Sequence, residues 1–376
     1  MKVKSEYRFL RWLRLCPVRH CLSAAGLLLI GAYQLARRSR SVMQAMSDGF
    51  VRPWHRFCSR LCSHVSFSVA ELLIVLGVLA ALAYLIFSIV QLIRRPERLK
   101  RVYRMILTAL TAFSLIYGGF CLFWGAYYYS ADFEEQSGIY GVPVSTEQLA
   151  AVTRYFTDLL NGYDGQIRRS SDGCFAEDLD AVFGRSPGLY RAVEENLPCL
   201  SGDGIAAKPF FFSRFMSYIN FTGFFFPFTG EANINVDSPA ALVPSTIAHE
   251  IAHQRGVAEE DEANFVGVLA CLENGDPVYA YSACLMAYIH LGNALYRADY
   301  DAWLENYSRL ADGPRQDLAE NNAYWAQFET PVSTVSDSVY TGFLQSYGQT
   351  LGLKTYGKCV DLLIAYYYEA AMEATE

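Results

Sequence analysis

From Val69 the chain runs VAELLIVLGVLAALAYLIFSIVQLI to Ile93, with Glu71 as its one charge, and from Met105 it runs MILTALTAFSLIYGGFCLFWGAYY to Tyr128 with none. About 20 apolar residues cross a bilayer core as a helix, so 69–93 and 105–128 predict two transmembrane helices. An earlier apolar stretch, 21–36 (CLSAAGLLLIGAYQLA), is shorter. It is followed by Arg37-Arg38-Ser39-Arg40 rather than by a small-residue cleavage site, so it predicts an uncleaved third anchor. Between the anchors, WHRFCSRLCSHVSF (54–67) has the pattern of an amphipathic helix lying on a membrane surface.

Beyond 129 the long apolar runs stop. Residues 145–162 show a helical apolar period, with Ser145 as N-cap and Gly162 as stop, and 187–200 predict a second helix. Residues 208–229 (KPFFFSRFMSYINFTGFFFPFT) are aromatic and broken by Gly and Pro, which predicts short strands and loops, with Phe210–Phe212 and Phe224–Phe226 in the core. Gly230–Asp237 alternates as a strand. A helix follows, with Pro239 and Pro244 as candidate first-turn prolines and Gly256 as its stop. Helical periods then fill 259–272, 277–296, 298–310, 314–328, 333–348 and 356–373. A small strand element among many helices predicts an α+β fold. The domains are a membrane domain, 1–128, and a mainly helical domain, 129–376.

Charge divides the chain at the same place. Residues 1–128 carry 18 Lys+Arg and 4 Asp+Glu, a balance of +14, while the remainder balances at -21, giving the net -7. The basic half is also the apolar half, which points to membrane rather than nucleic acid, and the acidic domain argues against a nucleic-acid partner. Six basic residues in 1–20 and six in 94–104 predict cytoplasmic placement of both segments. Three spans then put the C-terminal domain outside, in a multi-pass protein of the cell membrane; the six arginines of 37–68 run against that orientation. Ten cysteines show no CxxC pairing; Cys174 and Cys199 are positioned to bridge if the domain is extracytoplasmic, and free thiols are the competing reading.

The chemistry concentrates in AHEIAHQRGVAEEDEANF, residues 248–265. On a helix, His249 and His253 at i and i+4 share a face and can grip one zinc ion, with Glu250 beside them as a base. Only six histidines exist in the chain, so chance produces this pattern on the order of a per cent or less. A catalytic zinc needs a third ligand and an open position. Glu259 completes HExxHxxGxxE. Glu260 begins Glu-x-x-Ala-Asn, with Asn264 on the same face to brace a ligand, and Glu262 is a third option. The residues alone leave these open. Glu250 would take a proton from zinc-bound water and pass it to the leaving amine. His290, Tyr281, Tyr288 and Tyr324 are candidates for the oxyanion donor.

The segments FSVAELL (67–73), WGAYYY (124–129), FTGFFFPFTGEANINVD (221–237), PSTIAHEIAHQRGVAEEDEANF (244–265), LGNALYRAD (291–299) and NNAYWAQF (321–328) resemble a bacterial membrane family catalogued as a domain of unknown function. Its members join N-terminal membrane helices to a domain with zinc-metallopeptidase features. The motif is also similar to gluzincin peptidases, whose third ligand is the Glu of Glu-x-x-Ala-Asp or Glu-x-x-Ala-Asn. That resemblance implies a zincin-like fold, Zn2+ held by His249, His253 and Glu260, and Glu250 as base. It also implies a membrane-anchored endopeptidase acting on membrane or envelope proteins. Gluzincins usually place many more residues before this Glu; here six intervene. In similar peptidases a strand before the active helix pairs with extended substrate, and Glu231–Val236 is the candidate. The alternative function is a non-catalytic or self-cleaving sensor or scaffold that retains the fold.

Overall fold

The computed structural model describes residues 14–142, 144–347 and 356–374. The chain forms two compact units, Met1–Trp54 with Ala70–Ser130, and His55–Val69 with Ala131–Glu376.

The long opening helices are α1 (Pro17–Ala36), α2 (Arg52–Cys62), α3 (Val69–Arg94) and α4 (Arg98–Phe123), with a short helix, Arg40–Met46, running through a π-helical turn, Ser47–Val51, into α2. Two of them, α3 and α4, are long and apolar enough to cross a membrane. Leu76, Leu79, Ile86 and Phe87 of α3 are all exposed, an outward apolar surface that water does not favour. The helix α1 starts four residues before the expected 21–36. Its 20 residues span about 30 Å at the α-helical rise. It packs along α4 through small side chains. A Cβ at Gly26 would lie 2.7 Å from Ser114 Oγ, and one at Gly118 would lie 3.3 Å from the Gly26 carbonyl. The Ser23 and Thr111 hydroxyls hydrogen-bond at 2.7 Å. Small residues and hydroxyl pairs of this kind let helix backbones meet closely without a water-driven core. Of the basic residues that set the orientation, Lys2, Lys4, Arg8 and Arg11 lie outside the described residues.

The segment read as a membrane-surface helix differs from expectation. From His55 onward it belongs to the second unit. His55, Cys58 and Cys62 are buried there, and the His55 ring meets Phe225 edge-on. Arg60 forms a two-pronged pair with Asp203 at 2.7 Å, and Arg56 donates to the Ser201 carbonyl. Lys208, itself buried, donates to the carbonyls of Cys62 and Phe67 and to Glu231. The His55, Cys58 and Cys62 side of the helix therefore packs on protein, while Phe57, Leu61 and Phe67 of the same stretch stay exposed.

In the second unit α5 (Thr146–Asp164) begins at Ser145, whose side chain caps Gln148 in a reciprocal capping box. The expected helix 187–200 is broken by Pro187 and Pro198. Only Arg191–Asn196 is α-helical, between 3-10 turns at Ser186–Gly188 and Pro198–Leu200. Three short strands follow, β1 (Lys208–Phe210), β2 (Gly223–Phe226) and β3 (Glu231–Asn235), in the order β1-β3-β2. β3 runs parallel to β1 and antiparallel to β2. Phe210 is buried at the end of β1, but the chain then turns into a short helix, Ser213–Tyr218, which leaves Phe211 and Phe212 exposed and corrects their placement in the core. Phe224–Phe226 are half-buried.

Among the described residues the helices after the sheet are α6 (Val243–Gln254), α7 (Glu260–Asn274), α8 (Pro277–Ala298), α9 (Tyr300–Ser308), α10 (Asp312–Ala326), α11 (Pro331–Ser346) and α12 (Tyr356–Glu373). The core includes Phe156 and Leu160 of α5, Phe265 of α7, and Leu285 and Leu291 of α8, all buried. Burial of such side chains is the main favourable term holding these helices together. Ile247 and Ile251 root α6 in that core, and its neighbours across the sheet side are β2 and β3. The fold is mostly helical with one small sheet. Cys174 is a free thiol, so the Cys174–Cys199 bridge does not form.

Candidate metal centre

α6 starts with Pro244 in its first turn, and Thr246 returns its hydroxyl to the Leu242 carbonyl. It stops where expected. Gly256 takes the left-handed φ of 93°, and the amide of Val257 bonds back to Ala252. The turn does a second job: the Val257 carbonyl holds His253 Nδ1 at 2.7 Å. With Nδ1 donating there, Nε2 carries the lone pair.

Glu259 sits at the N-cap position of α7, and Glu260 is its first residue. α7 doubles back across α6 because Gly267 has no side chain. A Cβ there would sit 3.1 Å from the His249 amide nitrogen. This close crossing aims Glu260 at the histidines after a link of only six residues. Glu260 Oε2 lies 3.2 Å from His249 Nε2 and 3.6 Å from His253 Nε2, and the two Nε2 atoms lie 3.1 Å apart. One ligand-type atom from each of the three side chains falls within a 4.8 Å sphere of mutual distances.

The three candidate acids diverge. Glu259 pairs with Lys358 at 2.7 Å. Glu262 is buried, accepts from the Phe133 amide and pairs with Lys358 at 2.9 Å. Burial lifts Glu262 to about 7 despite that ammonium. Lys358 also reaches Glu134 at 3.1 Å. The acidic group Asp132, Glu134 and Glu262 thus surrounds a lysine, and only Glu260 turns to the histidine pair.

Charge at the centre is tightly coupled. Burial opposes ionisation of Glu260, yet His253 and His249 hold it well below the usual carboxylate range. Burial likewise opposes charge on His253, and Glu260 outweighs it, raising the imidazole to about 9. Once the His253 proton is displaced, two imidazole nitrogens and a carboxylate converging this closely are a donor set for a cation, of the N,N,O kind that zinc accepts. Glu250 lies alongside, 3% exposed, and among the described residues its Oε2 has no hydrogen-bond partner. Burial lifts its pKa to about 7, with both histidines pulling the other way.

β2 closes over this carboxylate. A Cβ at Gly223 would lie 2.6 Å from Glu250 Oε1. The strand next to the centre is therefore β2, at the edge of the sheet. Glu231–Val236, the expected substrate strand, is corrected: β3 is central, hydrogen-bonded on both sides, and Glu231–Asn235 is buried throughout.

Other expected participants fall elsewhere. Tyr281 bonds Asp317 and Arg169, and Tyr324 bonds Asp237 and Ser217. The Tyr288 hydroxyl is buried with no hydrogen-bond partner among the described residues. His290 is the one of the four coupled to the centre: burial, then His249, draws its pKa down to about 4. Among the described residues the contact on Glu260 expected from Asn264 is made instead by Tyr340, whose hydroxyl donates to Oε1 at 2.7 Å. Nothing in the spacing of Tyr340, eighty residues away, signals this. Gly223, a lone glycine in an aromatic run, carries a weak signal of close backbone approach.

A family model described as a protein of unknown function (DUF3810) matches residues 46–364. The chain belongs to the DUF3810 family. The DUF3810 match takes in both apolar helices, the sheet, the whole of α6 and α7, and Tyr340. No curated protein and no solved structure matches the chain.

Proposed function

We propose that this DUF3810 chain is a membrane-anchored, zinc-dependent endopeptidase with a zincin-like catalytic domain. His249, His253 and Glu260 would hold the metal and Glu250 would serve as base. One observation carries the reading. Three ligand-type atoms converge beside a buried carboxylate that has an unpartnered oxygen. When bound, zinc supplies Lewis acidity, drawing the pKa of a water toward neutrality and polarising a peptide carbonyl. Glu250 would be the group that accepts a proton on its free oxygen and returns it to the leaving amine. A pKa near 7 suits a group that must do both. His253, tied through Nδ1, keeps Nε2 aimed at the ligand position. The edge strand β2 offers main-chain groups to a substrate in extended form, so the substrates are protein or peptide segments.

The bilayer is the second partner. α3 and α4 form a two-span hairpin with the basic turn 94–104 between them, which supports a cytoplasmic turn. A hairpin returns the chain to the side it left, so 55–69 and 131–376, which form one unit, share the extracytoplasmic side. The close fit of α1 on α4 supports a third span.

The test uses the full chain in detergent. Elemental analysis is expected to find one zinc per chain. Glu250→Gln is expected to keep that zinc and to lose cleavage of internally quenched peptides. Wild-type protein without zinc ends the reading, and a Glu250→Gln protein with wild-type phenotype in cells moves it to the non-catalytic sensor or scaffold.

A further inference from the structure

Tyr340 lies on α11, far in sequence from the HExxH helix, and yet its hydroxyl donates to Glu260 Oε1 at 2.7 Å. The other carboxylate oxygen of Glu260, Oε2, is the one turned to the histidines. The division matters because a carboxylate that swings freely presents either oxygen, or both, to a cation. A donor on Oε1 fixes the plane of the group and leaves Oε2 as the single ligating atom.

The helix that carries Tyr340 is itself pinned beside the centre. Ser336 donates to the Ile219 carbonyl at 3.0 Å, and Asn220, in the left-handed region at φ 58°, donates to Asp337. The Tyr340 ring meets Phe221 edge-on, with centroids 5.2 Å apart. Two residues later comes Gly223, the residue over Glu250. One side chain thus touches the third ligand with its hydroxyl, and the entry to the edge strand with its ring.

We infer that Tyr340 is a positioning residue for the metal centre: its hydroxyl orients Glu260 for monodentate ligation. The inference rests on the zinc reading above. It places a functional group of this family on α11, outside the motif helices, and it gives a reason why a glutamate so soon after the second histidine serves as ligand. At the first residue of α7 the Glu260 side chain has no preceding helical turn to restrain it, and Tyr340 supplies that restraint.

The test compares zinc affinity by chelator competition in the full chain for wild type, Tyr340→Phe, Ser336→Ala and Glu260→Gln. Thermal unfolding of each metal-free protein is measured alongside, and so is the visible spectrum of the cobalt-substituted protein. Tyr340→Phe keeps the ring against Phe221 and removes only the hydroxyl. It is expected to raise the apparent zinc dissociation constant roughly 10–100-fold and to change the cobalt absorption bands, with the metal-free unfolding midpoint unchanged. Ser336→Ala loosens α11 without touching the hydroxyl and is expected to leave affinity and spectrum as in wild type. Wild-type affinity in Tyr340→Phe, or an equal loss in Ser336→Ala, overturns the positioning role while zinc binding stands. Absence of zinc from wild type, or wild-type zinc affinity in Glu260→Gln, overturns the underlying zinc reading instead.

Discussion

Gly223→Ala places a methyl group where the Glu250 side chain already lies. The new carbon would sit 2.6 Å from Oε1, 2.7 Å from Cγ and 2.9 Å from Cδ. Ordinary carbon contacts are about 3.5–4.0 Å, so the overlap is roughly 0.8 Å along the outer half of the side chain. Something must move. Glu250 is nearly fully buried, and β2 is held to β3 by its ladder. A side-chain end yields more readily than a paired strand, so the carboxylate is the part displaced. Overpacking of this size costs about 1–3 kcal/mol, and a shift of about 1 Å in a catalytic group costs about 100-fold in rate. The expected result is a modest loss of stability in denaturant unfolding of the detergent-solubilised chain. Peptide turnover falls about 100-fold, and zinc content is unchanged because no ligand is touched. Glu250→Asp shortens the obstructed side chain, so the two substitutions should couple favourably in a double-mutant cycle, by roughly 1 kcal/mol or more. A Gly223→Ala protein within about 0.5 kcal/mol of wild type, with undiminished turnover and no coupling to Glu250→Asp, refutes the contact between strand and base.

Other consequences are as direct. Glu260→Ala should abolish zinc binding in elemental analysis. Glu259→Ala and Glu262→Ala should keep the metal, and Glu262→Ala should lose about 1–3 kcal/mol in unfolding because it strands the Phe133 amide and part of the Lys358 pairing. Lys208→Met leaves Glu231 charged and buried. Denaturant unfolding should show a loss of about 3–5 kcal/mol, and limited proteolysis should find 55–69 newly accessible. In the metal-free protein His290 binds its proton less readily folded, at about 4, than unfolded, at 6.5. Glu250 and Glu262, lifted to about 7, slope the other way; the His290 contribution by itself is full above pH 6.5 and falls by about 3 kcal/mol as pH drops toward 4. His290→Gln should remove that contribution, and an unchanged slope counts against the assignment.

Much of the second unit was legible because its signals are local. Ser145 caps one helix; Pro244 and Gly256 bracket another, ending it within two residues of expectation. The strand 230–237 was visible by alternation, and Glu231–Asn235 forms it. What escaped is what depends on distance along the chain. β3 became central because β1, over twenty residues earlier, pairs with its far side, and no local pattern reports which edge a strand will lose. The choice among Glu259, Glu260 and Glu262 turns on Lys358 and Tyr340, one drawing two acids away and the other bracing the third. The basic amphipathic stretch near 54–67 looked like a membrane-surface helix because its partner acid and sheet lie some 140 residues downstream. Composition alone does not tell a lipid headgroup from Asp203.

That stretch makes the second unit discontinuous. Residues 55–69 and 131–376 are one compact unit, with the apolar helices α3 and α4 as an insertion between them. During synthesis His55–Val69 leaves the ribosome long before Lys208 and Glu231 exist to receive it. The domain is completed only after both apolar helices have been made. Both apolar helices are thus made before the candidate catalytic fold can assemble, and a fragment cut at residue 129 would lack a wall of its own domain. A soluble version should instead join residues 55–69 to 131–376 through a linker in place of the hairpin.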